Sequence, residues 1–109
     1  MAQPDLSINI GTLKLGNPVL TASGTFGYGA EYGRFVDLSE FGGIITKTLT
    51  VEPRAGNPPP RAAETASGML NSIGPQNVGV EAFIQEKMPY LRKINTALIV
   101  NVGGETVEQ

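Results

Sequence analysis

The sequence contains no cysteine, no histidine and no tryptophan. Without cysteine the chain can form no disulfide and offers no thiol nucleophile. Without histidine it lacks the side chain that most often moves protons near neutral pH. The usual ligands of structural zinc are missing too, and we expect no metal site. Any general base within these 109 residues must therefore be a carboxylate, a lysine or a tyrosine.

The chain also lacks an excess of charge of either sign and a long apolar run. Eight Lys and Arg against ten Asp and Glu give a net charge of −2, and the basic residues form no cluster. Nucleic acid is therefore not an expected partner. The longest uncharged runs, residues 15–30 and 65–80, are 16 residues each and rich in small polar residues, whereas a spanning helix needs about 20 apolar residues. Since residues 1–5 also lack the features of a signal peptide, we expect no membrane segment and a cytoplasmic location.

Glycine is abundant and proline is somewhat raised, with 14 and 8 residues respectively. Average proteins contain roughly 7% glycine. The hydrophobic fraction of 40% is nevertheless that of a globular protein, and 109 residues predict one domain. We expect most of the glycine and proline residues to lie in loops between short helices and strands.

Three short apolar runs without polar alternation are typical of strands covered on both faces, as in a parallel sheet. They are residues 19–21, 43–49 and 97–102. A hairpin that turns at Gly11-Thr12 is predicted before them, over residues 7–15. This pattern, together with the helices described next, predicts an α/β fold with parallel strands.

Two helices and one long loop are predicted between the strands. Residues 31–41 indicate a short broken helix. Apolar residues at helical spacing predict a second helix around residues 80–91, with Asn77 as its N-cap and either a kink or a break at Pro89. Residues 50–77 are expected to be a functional loop with a short strand at 62–65. Another helix is expected to begin after an N-cap at Thr106.

Polar residues follow each of the three predicted parallel strands. Lys47 ends the second apolar run, Ser23 follows the first, and Asn101 lies in the third. Ligands of α/β proteins bind at the carboxyl ends of parallel strands, so these residues are candidates for a binding site. The alternatives are a lysine that extends to solvent and a serine and an asparagine that cap loop backbone.

The segment at residues 71–77 is a second candidate for ligand binding. Its amide and hydroxyl groups suit a polar planar ligand, and a glycine-rich turn before a helix explains them equally well. A dinucleotide-binding loop is excluded, because Tyr32 stands where the G-x-G-x-x-G pattern begun by Gly27 and Gly29 needs its last glycine.

Five motifs, in this order, closely resemble the catalytic subunits of the dihydroorotate dehydrogenase family: residues 17–27 (NPVLTASGTFG), 43–48 (GIITKT), 54–61 (RAGNPPPR), 71–74 (NSIG) and 100–102 (VNV). The GYGAEY stretch at 27–32 is most similar to the NAD-linked class 1B form. The resemblance implies an FMN-binding TIM barrel that oxidises dihydroorotate to orotate in pyrimidine (UMP) biosynthesis.

The resemblance also implies roles for particular residues. The implied FMN contacts are Ser23, Lys47, Thr48 and Asn101. The implied substrate contacts are Lys47, Asn71, Ser72, Ile73, Gly74 and Pro75. The chain departs from the family pattern at Pro75, Val78 and Gly103, where the family usually has Leu, Pro and Ala. Implied partners are dihydroorotate, a second copy of the full-length protein, and a subunit whose FAD and iron–sulfur cluster pass electrons to NAD.

The length of the chain limits how much of a TIM barrel it can form. Such a barrel needs eight strands and roughly 250 residues. We therefore expect residues 1–109 to be an incomplete FMN-binding TIM-barrel domain: a hairpin followed by about three strand-helix units from the N-terminal part. The family's catalytic base, a cysteine, is expected beyond Gln109, so the chain alone is expected to be inactive. The alternatives are a complete noncatalytic binding or assembly module and a related FMN-dependent dihydropyrimidine dehydrogenase.

Overall fold

The computed structural model describes residues 2–109, in which short strands alternate with turns and one helical segment. The strands are β1 (Ile8–Ile10), β2 (Leu13–Leu15), β3 (Gly43–Ile45), β4 (Ala62–Thr65), β5 (Gly68–Asn71) and β6 (Ala97–Ile99). A 3₁₀ turn covers Leu38–Glu40. The helical segment consists of α1 (Val80–Ala82), a π-helical turn (Phe83–Lys87) and α2 (Met88–Leu91).

The first two strands form the predicted hairpin. They pair antiparallel, with Ile8 opposite Leu15 and Ile10 opposite Leu13. Gly11 has a φ of 58°, a conformation that glycine adopts without steric cost. Leu15 is fully buried and anchors the hairpin to the rest of the molecule. The hairpin prediction is confirmed.

The three apolar runs lie side by side in chain order and run parallel. β3 pairs with β6, placing Gly43 opposite Ala97, and Leu20 forms a parallel bridge to Gly43. The pairing resumes beyond these strands, where Leu49 bridges Val102. The carboxyl ends of the three runs therefore meet at one edge of the sheet, as in an α/β barrel. Regular strands are shorter than the predicted runs at 43–49 and 97–102, and the run predicted as a strand at 19–21 forms only the bridge at Leu20.

Two buried threonine side chains supplement the main-chain pairing between neighbouring runs. The Ile45 N–H donates to Oγ1 of Thr21 at 2.9 Å, and the Asn101 N–H donates to Oγ1 of Thr46 at 3.3 Å. Both threonines are buried. Because a buried N–H must find an acceptor, each hydroxyl takes the place of a strand carbonyl and joins one run to the next.

The helix predicted over residues 31–41 is wrong, and with it the expectation of a helix in each strand-helix unit. The stretch folds as consecutive turns, and only the 3₁₀ turn at Leu38–Glu40 is helical. Asp37, inside the stretch, is extended with a φ of −75° and a ψ of 111°, which interrupts a helix at that point. Asp37 caps the short turn: its carboxylate accepts from the Ser39 N–H and hydroxyl, and these bonds lower its pKa.

The helix predicted over residues 80–91 is confirmed, and its π-helical turn explains how it contains Pro89. Proline has no N–H, and its ring collides with the carbonyl four residues earlier in a regular helix. Here the Met88 N–H donates to the carbonyl of Phe83, five residues back, so the turn is wider than an α-helical turn. The predicted N-cap, Asn77, is wrong. Gly79 occupies the cap position with a φ of 79°.

The core lies between the helical segment and the parallel strands. Tyr28, Leu49, Phe83 and Leu91 are its buried members. The rings of Tyr28 and Phe83 pack with centroids 5.7 Å apart. The core thus fixes the loop after the first parallel run against both the second run and the helical segment.

The predicted strand at 62–65 is confirmed, but the loop prediction missed its partner. β4 pairs antiparallel with β5, which occupies part of the predicted loop, and both strands are exposed along their whole length. The last residues form a turn rather than the helix predicted after Thr106. Within the described part of the chain, no helix is both long and apolar enough to cross a bilayer. Residues 2–109 also contain no group of three or more acidic side chains placed to hold a metal ion.

Candidate functional site

Lys47 lies just beyond β3, at the carboxyl edge of the parallel strands. Its N–H donates to the carbonyl of Gly27 at 2.8 Å, which fixes its main chain against the loop from the first run. Gly27 has a φ of 57°, and a Cβ there would come within 2.8 Å of Oε1 of Glu31. Half-buried, Lys47 faces a cavity of about 270 Å³ whose other lining residues are Gly27, Tyr28, Glu31, Arg54, Gln76, Asn77 and Val78.

Thr48 and Asn101 are joined directly. Nδ2 of Asn101 donates to Oγ1 of Thr48 at 2.5 Å, and both residues are half-buried. The main chain of Asn101 is held by the buried hydroxyl of Thr46. Two of the predicted cofactor residues, Thr48 and Asn101, are therefore bonded to each other at adjacent strand ends, and Lys47 precedes Thr48 in the chain.

Ser23 stands apart from that group. It is exposed in the loop after the first parallel run, where the Phe26 N–H and the Thr25 hydroxyl both donate to the carbonyl of Ala22. No hydrogen bond within residues 2–109 joins Ser23 to Lys47, Thr48 or Asn101. Ser23 lies near the same edge of the sheet only because it follows the carboxyl end of the first parallel run.

The predicted substrate residues, Asn71 to Pro75, form an exposed segment that leaves β5. Its main chain pairs with the preceding loop. The Asn57 N–H donates to the Ile73 carbonyl at 3.0 Å, and the Ser72 N–H donates to the Arg61 carbonyl at 2.8 Å. Gly74 has a φ of 74°, which turns the chain back toward the cavity at Gln76 and Asn77. The segment thus ends beside the cavity that Lys47 lines.

Asn77 is a buried residue whose role in the site the sequence did not reveal. Its Oδ1 accepts from the N–H groups of Gly79 at 2.8 Å and Thr50 at 3.2 Å. Its Nδ2 donates to the carbonyl of Pro75 at 2.9 Å and to Oγ1 of Thr50 at 3.0 Å. Its main chain also exchanges two hydrogen bonds of 3.0 Å with Arg54. The sequence indicated Asn77 as an N-cap and as the last residue of the candidate segment 71–77, but it did not indicate these long-range bonds.

Tyr28 was likewise missed as an individual residue. Its hydroxyl accepts from the Val78 N–H at 3.2 Å, and its own N–H donates to Oε2 of Glu31 at 3.1 Å. Burial raises the pKa of the Tyr28 phenol above its ordinary value of 10.0, and the hydrogen bond from Val78 opposes that rise. The phenol therefore stays neutral at physiological pH, and its hydrogen bond joins the loop that contains Tyr28 to the chain at Val78 beside the cavity.

The cavity carries more positive than negative charge. Lys47 and Arg54 line it together with one acidic residue, Glu31. Arg54 also forms an exposed salt bridge of 2.6 Å with Glu105, which contributes little to stability in water. A cavity with two cations, amide groups and main-chain donors suits a polar ligand with a carboxylate.

A family model described as dihydroorotate dehydrogenase matches residues 5–109. The chain belongs to the dihydroorotate dehydrogenase family. The resemblance found in the sequence motifs is therefore confirmed.

Curated relatives in this dihydroorotate dehydrogenase family are similar over the whole chain. A protein of Geotalea uraniireducens (strain Rf4), named "Dihydroorotate dehydrogenase B (NAD(+)), catalytic subunit", is 59% identical over 109 residues, which are 100% of this chain and 36% of the relative. A protein of the same name from Thermoanaerobacter sp. (strain X514) is 57% identical over 105 residues, covering 96% of this chain and 35% of the relative. The chain thus spans about a third of the length of these relatives.

A solved dihydroorotate dehydrogenase has the same fold over the matched region. The Eimeria tenella enzyme, crystallised in complex with ferulenol, superposes with a TM-score of 0.68 at 28% identity, covering 96% of this chain and 31% of that chain. That enzyme is a TIM barrel. Residues 2–109 themselves form small sheets and one helical segment, not a closed barrel.

Proposed function

We propose that this chain is the N-terminal part of an FMN-binding TIM barrel in an NAD-linked dihydroorotate dehydrogenase. The overall reaction is dihydroorotate plus NAD⁺ to orotate, NADH and a proton, a step of pyrimidine biosynthesis. One observation carries the proposal beyond family membership: Thr48 and Asn101 are bonded at adjacent carboxyl ends of parallel strands, where Lys47 directly precedes Thr48. Barrel enzymes place their active sites at that edge.

The chemistry of these three side chains fits a flavin. A flavin ring offers carbonyl oxygens, ring nitrogens and an imide N–H, and the three residues offer an ammonium, a hydroxyl and an amide that both donates and accepts. All three residues are half-buried, so their polar groups remain accessible to one face or edge of a flavin ring. When bound, FMN supplies the acceptor of the two electrons removed from the substrate. Ser23 is proposed as a fourth flavin contact, from the loop that follows the first parallel run at residues 19–21.

Lys47 has two proposed roles at this site. Its ammonium contacts the flavin, where fixed positive charge favours the gain of electrons. It also contacts the substrate, because it lines the cavity at which residues 71–75 end. The main-chain position of Lys47 is set by its bond to Gly27, so the ammonium is presented from a fixed point.

The proposed substrate contacts are Asn71, Ser72, Ile73, Gly74 and Pro75. Dihydroorotate carries ring amides and a carboxylate, which side-chain amides and main-chain groups can bind. Pro75 has no N–H, and its carbonyl is engaged by Asn77. We therefore expect Pro75 to contact the substrate through its ring alone.

The rest of the machinery is proposed to lie outside these residues. The sequence has no cysteine, and the base that removes the substrate proton is inferred to be a cysteine elsewhere in a longer protein, so residues 1–109 alone should have no activity. The relatives are named catalytic subunits of an NAD(+) enzyme. We infer a partner subunit that carries FAD and an iron–sulfur cluster, a homodimer of the catalytic subunit, and a cytoplasmic location.

The proposal is tested by sequencing the gene past codon 109 and purifying the encoded protein with its partner. We expect a continuous reading frame and a yellow protein that reduces NAD with dihydroorotate only when the partner is present. A stop codon at position 110 would favour a small noncatalytic module. Turnover of uracil but not dihydroorotate would assign a dihydropyrimidine dehydrogenase, and reduction of fumarate would exclude the NAD-linked assignment.

Lys47→Ala in that protein should lower the rate of orotate formation by about a hundredfold or more, a magnitude typical of losing a group that stabilises charge in the transition state. Lys93→Ala is the matched control, since Lys93 is exposed beyond the helical segment. Equal rates for the Lys47 variant and the control would contradict the role of Lys47.

A further inference from the structure

Two asparagine side chains hold the main chain of residues 72–75 from opposite ends. Nδ2 of Asn57 donates to the carbonyl of Ser72 at 2.7 Å, and Nδ2 of Asn77 donates to the carbonyl of Pro75 at 2.9 Å. We call this pair the asparagine clamp. Neither asparagine is among the family-implied contacts, and each acts on main-chain oxygens rather than on a ligand.

The clamp works at close range because glycines allow the two stretches of chain to approach. Gly56 has a φ of 76°, and a Cβ there would lie 2.6 Å from the Ile73 carbonyl oxygen. A Cβ at Gly74 would lie 3.2 Å from Nδ2 of Asn57. The Asn57 N–H adds a direct bond of 3.0 Å to the Ile73 carbonyl. Asn57 therefore bonds two consecutive carbonyls of the segment, Ser72 through its side chain and Ile73 through its main chain.

Asn77 connects the other end of the segment to the strand that carries Lys47. Its amide bonds both the N–H and the hydroxyl of Thr50, which lies three residues after Lys47. It is 6% exposed, so water competes little for these bonds. Asn77 thereby relates the position of Pro75 to the position of the strand end.

We propose that Asn57 and Asn77 are positioning residues that set the main chain of residues 72–75 relative to Lys47 before substrate binds. The inference rests on the proposed function, in which these residues contact dihydroorotate. An exposed segment without such anchors would sample many conformations and would have to be ordered at the cost of affinity. With its carbonyls engaged, the segment presents fixed polar groups to a pyrimidine carboxylate, which is preorganisation.

The test uses Asn77→Asp and Asn57→Ala in the FMN-loaded protein with its complete reading frame. Aspartate at 77 has the size of asparagine and keeps acceptors for Gly79 and for the N–H and hydroxyl of Thr50. It loses the donor to Pro75 and to Oγ1 of Thr50, and it adds a negative charge. Alanine at 57 removes the donor to Ser72 without adding charge, at an exposed position where folding is not at risk. The matched controls are Asn95→Asp and Asn95→Ala, since Asn95 is exposed and lies outside the proposed site.

Two measurements are made on each variant: the Kd for orotate by calorimetry, and hydrogen exchange in peptides that cover residues 70–78 without ligand. We expect the Kd to rise about tenfold for Asn77→Asp and about threefold for Asn57→Ala, the loss expected for one hydrogen bond at a buried and an exposed site. Exchange in the segment should accelerate in both variants, and FMN content should equal that of the controls.

The outcomes separate the clamp from the proposed function. Unchanged exchange and a Kd within twofold of the controls would overturn the clamp. Faster exchange with unchanged orotate binding would show an ordered segment that does not serve the substrate, which also overturns it. Loss of FMN together with orotate binding would assign the asparagines a merely structural role. If the unmutated protein binds FMN but no orotate, the proposed substrate is wrong, and the inference falls with it.

Discussion

Tyr28 joins three parts of the molecule through one residue. Its ring packs in the core against Phe83, its hydroxyl accepts from the Val78 N–H, and its N–H is bonded to Glu31. A buried phenol needs a hydrogen-bond partner, and here that partner is a main-chain group at the start of the helical segment. The geometry of the cavity beside Lys47, which Tyr28 also lines, therefore depends on these contacts.

Tyr28→Phe should lower the free energy of unfolding at pH 7 by about 1 kcal/mol, because the Val78 N–H loses its acceptor. The raised pKa of Tyr28 gives this difference a pH dependence. A raised pKa stabilises the fold below pH 10, and this contribution is lost as pH rises through the folded-state pKa. The wild-type protein should therefore lose more stability than the variant between pH 9 and pH 12.

Urea unfolding of the protein from the complete reading frame, measured between pH 9 and pH 12, gives the difference in the free energy of unfolding. Tyr90→Phe is the control, since Tyr90 is an exposed tyrosine on the helical segment. If the stability curves of wild type and Tyr28→Phe run parallel above pH 10, the phenol has no raised pKa in the folded state.

At the level of elements, the parallel runs are joined by side chains as well as by main chain. Regular pairing of β3 with β6 covers three residue pairs, ending at Ile45 and Ile99. Beyond that point the hydroxyl of Thr46 accepts from the Asn101 N–H and supports the residue whose amide reaches Thr48. The stability of this edge of the sheet therefore depends on the buried hydroxyl of Thr46. Valine has nearly the same shape as threonine but has no hydroxyl.

Thr46→Val should destabilise the fold by about 1–3 kcal/mol, because it leaves the Asn101 N–H without an acceptor next to a fully buried side chain. Thr46→Ser keeps the hydroxyl and should recover most of the loss. Thr65→Val, at an exposed strand position, should change stability by less than about 0.5 kcal/mol. Denaturant unfolding of the protein from the complete reading frame compares the free energies of unfolding of the three variants. Equal stability of Thr46→Val and Thr46→Ser would show that the hydroxyl is dispensable.

The elements that the sequence predicted are those that local pattern determines. The hairpin at 7–15, the strand at 62–65 and the helical segment at 80–91 follow from apolar spacing and turn residues. The failed helix at 31–41 has apolar spacing as well, but Asp37 is extended within it and caps a 3₁₀ turn instead. Periodicity does not register such a break.

The site was predicted only in part, for a similar physical reason. Position at a strand end singled out Lys47 and Asn101, and the structure bonds Asn101 to Thr48, the residue after Lys47. Tyr28 and Asn77 bond partners 50 and 27 residues away in the chain, so no local window contains the interaction. Residues that act through long-range hydrogen bonds become visible only in the folded structure.

At the scale of the whole molecule, the 109 residues are more open than a compact domain. The radius of gyration is 16.2 Å, against about 13 Å for a compact domain of this length. The accessible surface is 7921 Å², against about 5800 Å² for a compact monomer of this mass. Large apolar side chains such as Phe35, Leu70 and Val102 are about 70% exposed. Such surfaces are covered by neighbouring strands and helices in a closed barrel.

Residues 1–109 expressed alone should therefore bind the dye ANS strongly and associate in solution, because exposed apolar patches and free strand edges drive both. ANS fluorescence and sedimentation velocity, compared with the protein from the complete reading frame, test this. A monomer with little ANS fluorescence and a sharp unfolding transition would contradict it and would favour a self-sufficient module.

The exposed hairpin of β4 and β5 has a consequence for how this family can vary. The asparagine clamp bonds the chain at Ser72 and Pro75, below the base of the hairpin, whereas the turn between Thr65 and Gly68 projects away from it. We expect insertions and deletions at that turn to leave the clamp and the cavity unchanged, because loop tips tolerate changes in length when their base is held. Evolution, or a protein engineer adding a peptide tag, can therefore lengthen this arm freely while the asparagines at its root stay in place.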